Sequence, residues 1–249
     1  MRRFFVDHPL FPDELSAISG TEARHIKTVL RMQPGDFVEL VDGSGYACKA
    51  EITQVADAEV LVQVHERYHI GTESPIRLTM AVGFLKEKKM DLLVRHLTEL
   101  GIDTFLPVIT ARSIARPPEK RMASRIDRWQ SIAREAVKQS QRGRIPEIGR
   151  PVAFEEALEA GRRADKKFIF WENADAALPD PDATAIRAAD VFVMVGPEGG
   201  FTEKEASSAA DMGFTPLSMG PRILRAETAA ISACTLIQYI YGDIGKKSP

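Results

Sequence analysis

Two short stretches hold most of the residues able to do chemistry. Gly196-Pro197-Glu198-Gly199-Gly200 sets one carboxylate among three glycines. Met219 to Thr228 (Met-Gly-Pro-Arg-Ile-Leu-Arg-Ala-Glu-Thr) carries Arg222, Arg225 and Glu227 beside an apolar Ile223-Leu224 pair. Glycines let backbone N–H groups approach a ligand where a Cβ would clash, and arginine grips carboxylates or planar groups through paired donors. The first stretch is neither GxxxxGK[ST] nor GxGxxG, which disfavours a nucleoside triphosphate and a dinucleotide. Structural roles stand beside the chemical ones. A carboxylate at Glu227 also suits the dipole of a helix starting there, and Arg225 also fits as an ion-pair partner of Glu198 or Glu227.

Each stretch follows an apolar run and precedes a helical pattern. Val191-Phe192-Val193-Met194-Val195 reads as a buried strand. Open α/β sheets bind ligands at the carboxyl ends of their strands, so the two stretches meet if their strands are neighbours. Strands at 76–82, 104–108 and 166–171 alternate with helices at 88–100, 125–141, 203–212 and 226–241, which predicts a parallel α/β sheet. Residues 1–72 read instead as short strands at 3–6, 37–41, 47–55 and 59–64 around one helix over 21–30. Thr21 is its expected N-cap, with Ile26, Val29 and Leu30 on its inner face. Asp42-Gly43-Ser44-Gly45 marks a hairpin, and the whole suits a small barrel. A linker at 69–75 separates domains 1–72 and 73–249. The last helix is apolar on nearly all sides (Ile231, Cys234, Leu236, Ile237, Tyr239, Ile240), which predicts that it is buried.

A chain of 249 residues is long enough for one large domain or two smaller ones. Its net charge of −2 is unevenly spread. Basic against acidic residues number 7 to 11 over 1–72, 16 to 9 over 73–150, and 10 to 15 over 151–249. A basic middle attracts a phosphate backbone; helices with solvated lysines and arginines produce the same count. Cys48 and Cys234 lie far apart without metal-type spacing, which predicts a reducing, cytoplasmic setting. His65 and His69 sit four apart at a strand end, so no metal is expected. The start lacks the apolar core of a signal peptide, and no apolar run reaches the roughly 20 residues a bilayer span needs.

Val195 to Glu205 (Val-Gly-Pro-Glu-Gly-Gly-Phe-Thr-Glu-Lys-Glu) and Met219 to Ala229 closely resemble the two signature loops of the RsmE family. Its members are uracil-N3 methyltransferases of small-subunit ribosomal RNA within the SPOUT superfamily. Arg2 to Val6 and His25 to Gly35 look like the family's PUA-like domain, and Thr98 to Ile102, Ala111 to Ser113 and Glu135 to Arg142 also fit its pattern. The likeness covers nearly the whole chain. It departs at Arg95-His96, where the family has a Lys-Ala-type pair, and at Met219, where leucine is common.

The resemblance implies an α/β fold: a small PUA-like, OB-like RNA-binding barrel, then a SPOUT-type parallel sheet with a C-terminal trefoil knot. It implies S-adenosylmethionine as cofactor and N3 of a uridine in 16S ribosomal RNA, within the small ribosomal subunit, as target. It also implies a homodimer packed through the last helix, with composite sites. The residues it points to for the cofactor are Val195, Gly196, Pro197, Glu198, Gly199, Gly200, Met219, Gly220, Arg222, Ile223, Leu224 and Thr228. For RNA they are Arg2, Arg3, Arg24, Arg31, Arg112, Gln139 and Arg142. Arg225 is expected to stabilise the uracil anion, with Glu227 facing the acceptor. A SPOUT enzyme with another target, such as a ribose 2′-OH, and a non-catalytic RNA-binding module are the alternatives.

Overall fold

The computed structural model describes residues 1–114, 121–180 and 189–246. The chain divides into two compact units, one of Met1–Glu73 with Val137–Ile145 and one of Ser74–Ala136 with Pro146–Pro249.

In the first unit, β1 (Arg2–Phe5), β2 (Leu15–Ser19), β3 (Phe37–Val41), β4 (Tyr46–Val55) and β5 (Glu59–His69) form a sheet in the order β1-β3-β4-β5-β2. Only the β1–β3 pair is parallel. Val38, Leu40, Ala50, Ile52, Val60, Val62 and Val64 share the buried face, following the period of two that pleating imposes. Register shifts in the β4–β5 pair, at Lys49/Ala50 and Ile52/Gln54, add local twist and curl the sheet. β1 and β2 hold its two edges, so the small barrel expected takes the form of a curled half-barrel. Gly43 and Gly45 take φ of 80° and 93° in the β3–β4 turn, the left-handed region that glycine enters without strain.

The single helix expected over 21–30 is two elements. α1 (Gly20–Arg24) follows Ser19, which makes no side-chain cap, and gives way to a π-helix over His25–Leu30. The wider turn rotates the faces: Ile26 is fully buried while Val29 is 67% exposed. The segment 137–145 joins this unit because Val137 packs with Phe5, Val41, Ala47 and Ile70, and because Arg142 pairs with Glu73. A boundary at 72/73 gives that segment to the second domain.

The second unit contains β6 (Arg77–Gly83), α2 (Glu87–Glu99), β7 (Thr104–Ile109), α3 (Met122–Ser140), β8 (Glu147–Ile148), β9 (Val152–Ala153), α4 (Phe154–Ala160), β10 (Lys166–Phe170), β11 (Asp190–Val195), α5 (Glu203–Asp211), β12 (Thr215–Leu217) and α6 (Ala226–Ile240). Its sheet runs β12-β10-β11-β6-β7-β8, with β9 also on β7, and every pair is parallel. Leu78, Met80, Val82 and Val191 to Val195 are buried, as continuous apolar runs in a sheet covered on both faces should be. β11 and β12, which lead into the two loops, are not neighbours: β10 lies between them.

α6 is not buried all round. Ala226, Ala230, Ala233, Cys234, Ile237 and Ile240 make one buried stripe, but Ile231 and Leu236 are half-buried and Tyr239 is 49% exposed. Among the described residues, no helix is long and apolar enough to cross a membrane.

Candidate functional site

The carboxyl ends of β10, β11 and β12 open onto one cleft. Phe170, Trp171 and Glu172 come from the end of β10, Val195 to Gly200 from the first loop, Leu217 to Leu224 from the second, and Ala226 and Ala229 from α6. The intervening β10 therefore adds a wall and does not separate the loops.

The first loop is tightly held. Gly200 takes φ of 67°, and its N–H donates to Pro197 O at 2.9 Å. A Cβ on Gly196 would stand 3.0 Å from Gly200 C, and one on Gly199 would stand 3.0 Å from Arg112 Cβ. Gly83, at the end of β6, lies directly beneath: a Cβ there would meet Pro197 N at 2.3 Å. From outside, Arg112 Nη1 donates to Gly199 O at 2.8 Å and to Phe201 O at 3.3 Å. The loop then enters α5 through a capping box, with Thr202 N–H donating to Glu205 Oε2 at 2.8 Å and Glu205 N–H to Thr202 Oγ1 at 3.2 Å. Glu205 Oε1 also accepts Ala111 N–H at 2.8 Å.

In the second loop Gly220 takes φ of 101° and donates its N–H to Ser218 Oγ at 3.2 Å. Met219, Arg222, Ile223 and Leu224 all line the cleft, Ile223 at its open side with 90% of its surface exposed. Arg225 and Thr228 are exposed and stand outside the cleft wall. Glu227, half-buried in the first turn of α6, also lies outside it.

The ion-pair partner of both carboxylates is Lys89, a residue without distinction in sequence. Its Nζ lies 3.1 Å from Glu198 Oε1 and 3.0 Å from Glu227 Oε2. The second contact lacks the alignment of a directed hydrogen bond, so charge is what holds that buried oxygen. Burial alone would raise the Glu227 pKa. Its own N–H, the Lys89 ammonium and the charge of Arg225 outweigh burial and hold it below the usual carboxylate range. Its pairing with Glu227 and, after that, with Glu198 raises the Lys89 pKa against the opposing effect of burial. Lys89 and Glu227 are therefore both ionised at neutral pH, and Glu227 is a weak proton acceptor.

These walls fit a ligand with a flat aromatic part and a short polar tail, such as S-adenosylmethionine. The three glycines line one wall with backbone alone, Leu217, Met219 and Leu224 give an apolar side, and Glu172 supplies a carboxylate.

The residues implied for RNA fall in different settings. Arg2, Arg24, Arg31 and Gln139 are exposed. Arg3 is paired with Glu39, and its Nη1 donates to Arg142 O at 3.2 Å. Arg112 is exposed but bonded to the first loop. The Arg142 side chain is 3% exposed and taken up by Glu73, which leaves none of it for a phosphate.

The chain matches the family described as an RNA methyltransferase domain over residues 72–238, and that described as an RNA methyltransferase PUA domain over 18–64. It is 30% identical over 247 residues to a ribosomal RNA small subunit methyltransferase E of Bacillus subtilis, covering 96% of each chain. With the Synechocystis protein of the same name it shares 31% over 224 residues, covering 88% of this chain and 71% of that protein. The crystal structure of a ribosomal RNA small subunit methyltransferase E from Neisseria gonorrhoeae, bound to S-adenosylmethionine, superposes with a TM-score of 0.87 at 31% identity, covering 98% of this chain and 99% of that one. A Legionella pneumophila structure with bound S-adenosylmethionine gives the same TM-score at 30% identity, covering 97% and 98%.

Proposed function

The chain belongs to the ribosomal RNA small subunit methyltransferase E family, and on that premise we propose that it transfers a methyl group from S-adenosylmethionine to N3 of a uridine in small-subunit ribosomal RNA. One observation carries the reading: three strand ends and a glycine cradle converge on a single cleft, in a chain whose relatives are crystallised with that cofactor. The bound cofactor supplies a methyl group already activated on a sulfonium, so the protein's task is alignment and electrostatics. Alignment of donor and acceptor alone is worth roughly 7–11 kcal/mol of barrier.

Backbone groups of Val195 to Gly200 and the side chains of Met219 and Leu224 hold the cofactor in this reading. Uracil N3 carries a proton at neutral pH and must lose it before it can attack, and the base must be presented unpaired. Arg225, exposed at the start of α6, stabilises the resulting anion in this reading. Glu227 is poorly suited to take the proton, because its own N–H, the Lys89 ammonium and the charge of Arg225 lower its basicity; its part is orientation. Residues 1–72 are the RNA-binding domain of the same reading, and Arg2, Arg24, Arg31 and Gln139 are the exposed contacts it uses.

The reading includes a homodimer. Met219, Leu224, Ile231 and Leu236, with Arg222, Ser232 and Thr235, line an open groove on the flank of α6, and a second copy covering it would account for the apolar side chains there. The SPOUT knot at the C-terminus and a cytoplasmic location belong to the same proposal. The test is transfer of labelled methyl to isolated small subunits and to purified ribosomal RNA, with nucleoside analysis by mass spectrometry. 3-Methyluridine is expected; a ribose-methylated nucleoside, or no incorporation into either substrate, overturns the assignment.

A further inference from the structure

We propose that Lys89 is the positioning residue of this site: by sharing one ammonium between Glu198 and Glu227 it locks the cofactor loop to the first turn of α6. The three residues come from three separate elements: α2, the loop after β11, and α6. Glu198 lines the cofactor cleft, whereas Glu227 stands two residues from Arg225, the group assigned to the acceptor. Lys89 is thus the direct ionic link between the donor side and the acceptor side of the reaction.

Several features make the link specific. Lys86 and Lys88 are exposed, while Lys89 is half-buried and turned to the carboxylates. Its chain neighbour Met90 is fully buried and accepts the Leu85 N–H through sulfur at 3.4 Å, so the lysine rises from a fixed base. Pro197 and the packing of the loop on Gly83 restrict where Glu198 can go. Both carboxylates lie within about 3 Å of the same ammonium, hence no more than about 6 Å from each other, and they repel once it is removed. A single ammonium lies in ion-pair range of both carboxylates at once. A guanidinium keeps the charge and the donors; an apolar side chain of similar length keeps neither.

This inference rests on the methyltransferase reading, and its test separates the two. Titration calorimetry with S-adenosylmethionine and steady-state methylation of small subunits are measured on wild type, K89M, K89R and R162A. Arg162 is the control, since it makes an exposed ion pair with Glu159 away from the cleft. K89M is expected to bind the cofactor at least about 10-fold more weakly, and to lose roughly 100-fold in kcat at saturating cofactor. Its KM for the RNA substrate should stay within about 2-fold of wild type, because none of the groups that hold RNA is touched. K89R should recover most of both losses, and R162A should match wild type. A role confined to fold stability lowers the melting temperature without this split and without rescue by arginine. Wild-type cofactor affinity and kcat in K89M overturn the role of Lys89. If K89M does not fold, E227Q decides in its place, because Glu227 stands outside the cleft: a weakened cofactor supports the proposal, and unchanged affinity overturns it. A wild-type chain that binds no S-adenosylmethionine overturns the functional reading, and this inference with it.

Discussion

Arg142 and Glu73 form an ion pair withdrawn from solvent: Nη2 lies 2.8 Å from Oε2, with the side chains 3% and 9% exposed. The second carboxylate oxygen accepts the N–H groups of Gly143 at 2.7 Å and Arg144 at 3.0 Å. One acid thus fastens the turn that follows α3. Burial by itself would raise its pKa, but the Arg142 guanidinium and the two N–H groups together hold it below the ordinary range. A group whose folded pKa is depressed gives stability that is complete above its unfolded pKa and lost as pH falls through the folded value. Stability from this pair should therefore be full at neutral pH and decline below about pH 4.5. In urea denaturation at a series of pH values, the gap between wild type and E73Q should narrow as pH drops through that range. R142A should cost about 3–5 kcal/mol at pH 7, since it strands a buried carboxylate. A loss under 1 kcal/mol would count against a structural role for Arg142.

Gly83 should tolerate no side chain. The atoms a Cβ would meet are Pro197 N at 2.3 Å, Pro197 Cδ at 2.5 Å and Gly196 C at 2.8 Å. These are backbone and ring atoms with no rotamer to escape into, so the first loop itself must shift. Overpacking of this kind costs typically about 1–3 kcal/mol. G83A should melt several degrees lower and bind S-adenosylmethionine at least about 10-fold more weakly. Unchanged affinity in calorimetry would show that the loop's seat on β6 does not shape the cleft.

How much of this was legible in the sequence depends on the range of each signal. Both loops could be read because glycine, proline and a short apolar run are local marks that need no distant partner. The two-layer contrast between residues 1–72 and the rest was legible for the same reason, from alternation against helical spacing. β10's place between β11 and β12 was not, because strand order is a tertiary choice and β12 has only three residues. The π-helix was missed because a single wider turn leaves no mark in composition, yet it sends Val29 outward. Lys89 went unnoticed, and Arg142 was assigned to RNA, because the meaning of each depends on carboxylates remote in the chain. In a run such as Lys86-Glu87-Lys88-Lys89 nothing local tells one lysine from the next.

At Gly200 the backbone, not the space, should decide the outcome of substitution. Its φ of 67° is left-handed, and an alanine there costs roughly 1–2 kcal/mol. A Cβ would also approach Glu172 Oε1 at 2.6 Å, but that oxygen ends an exposed side chain able to swing aside. G200A should thus lose stability in thermal unfolding without cofactor, and adding E172A should restore less than about 0.5 kcal/mol of it. Full recovery in the double variant would make crowding the cause.

Arg225 and Arg222 should part company under mutation. Arg222 lines the cleft, whereas Arg225 is exposed outside its wall with its backbone starting α6. R222A should therefore weaken S-adenosylmethionine binding. R225A should leave binding within about 3-fold of wild type but lower the methylation rate by at least about 100-fold, the scale of removing one preorganised charge from a developing anion. Glu227 keeps its ammonium partner in R225A, because Lys89 Nζ still lies 3.0 Å from its Oε2. A loss of rate thus reports on Arg225 and not on a changed carboxylate. Because uracil N3 ionises more readily as pH rises, the deficit of R225A should shrink at alkaline pH, where deprotonated uracil is supplied by solvent. A pH–rate profile of R225A parallel to that of wild type, or an intact rate at pH 7, would remove Arg225 from the chemistry.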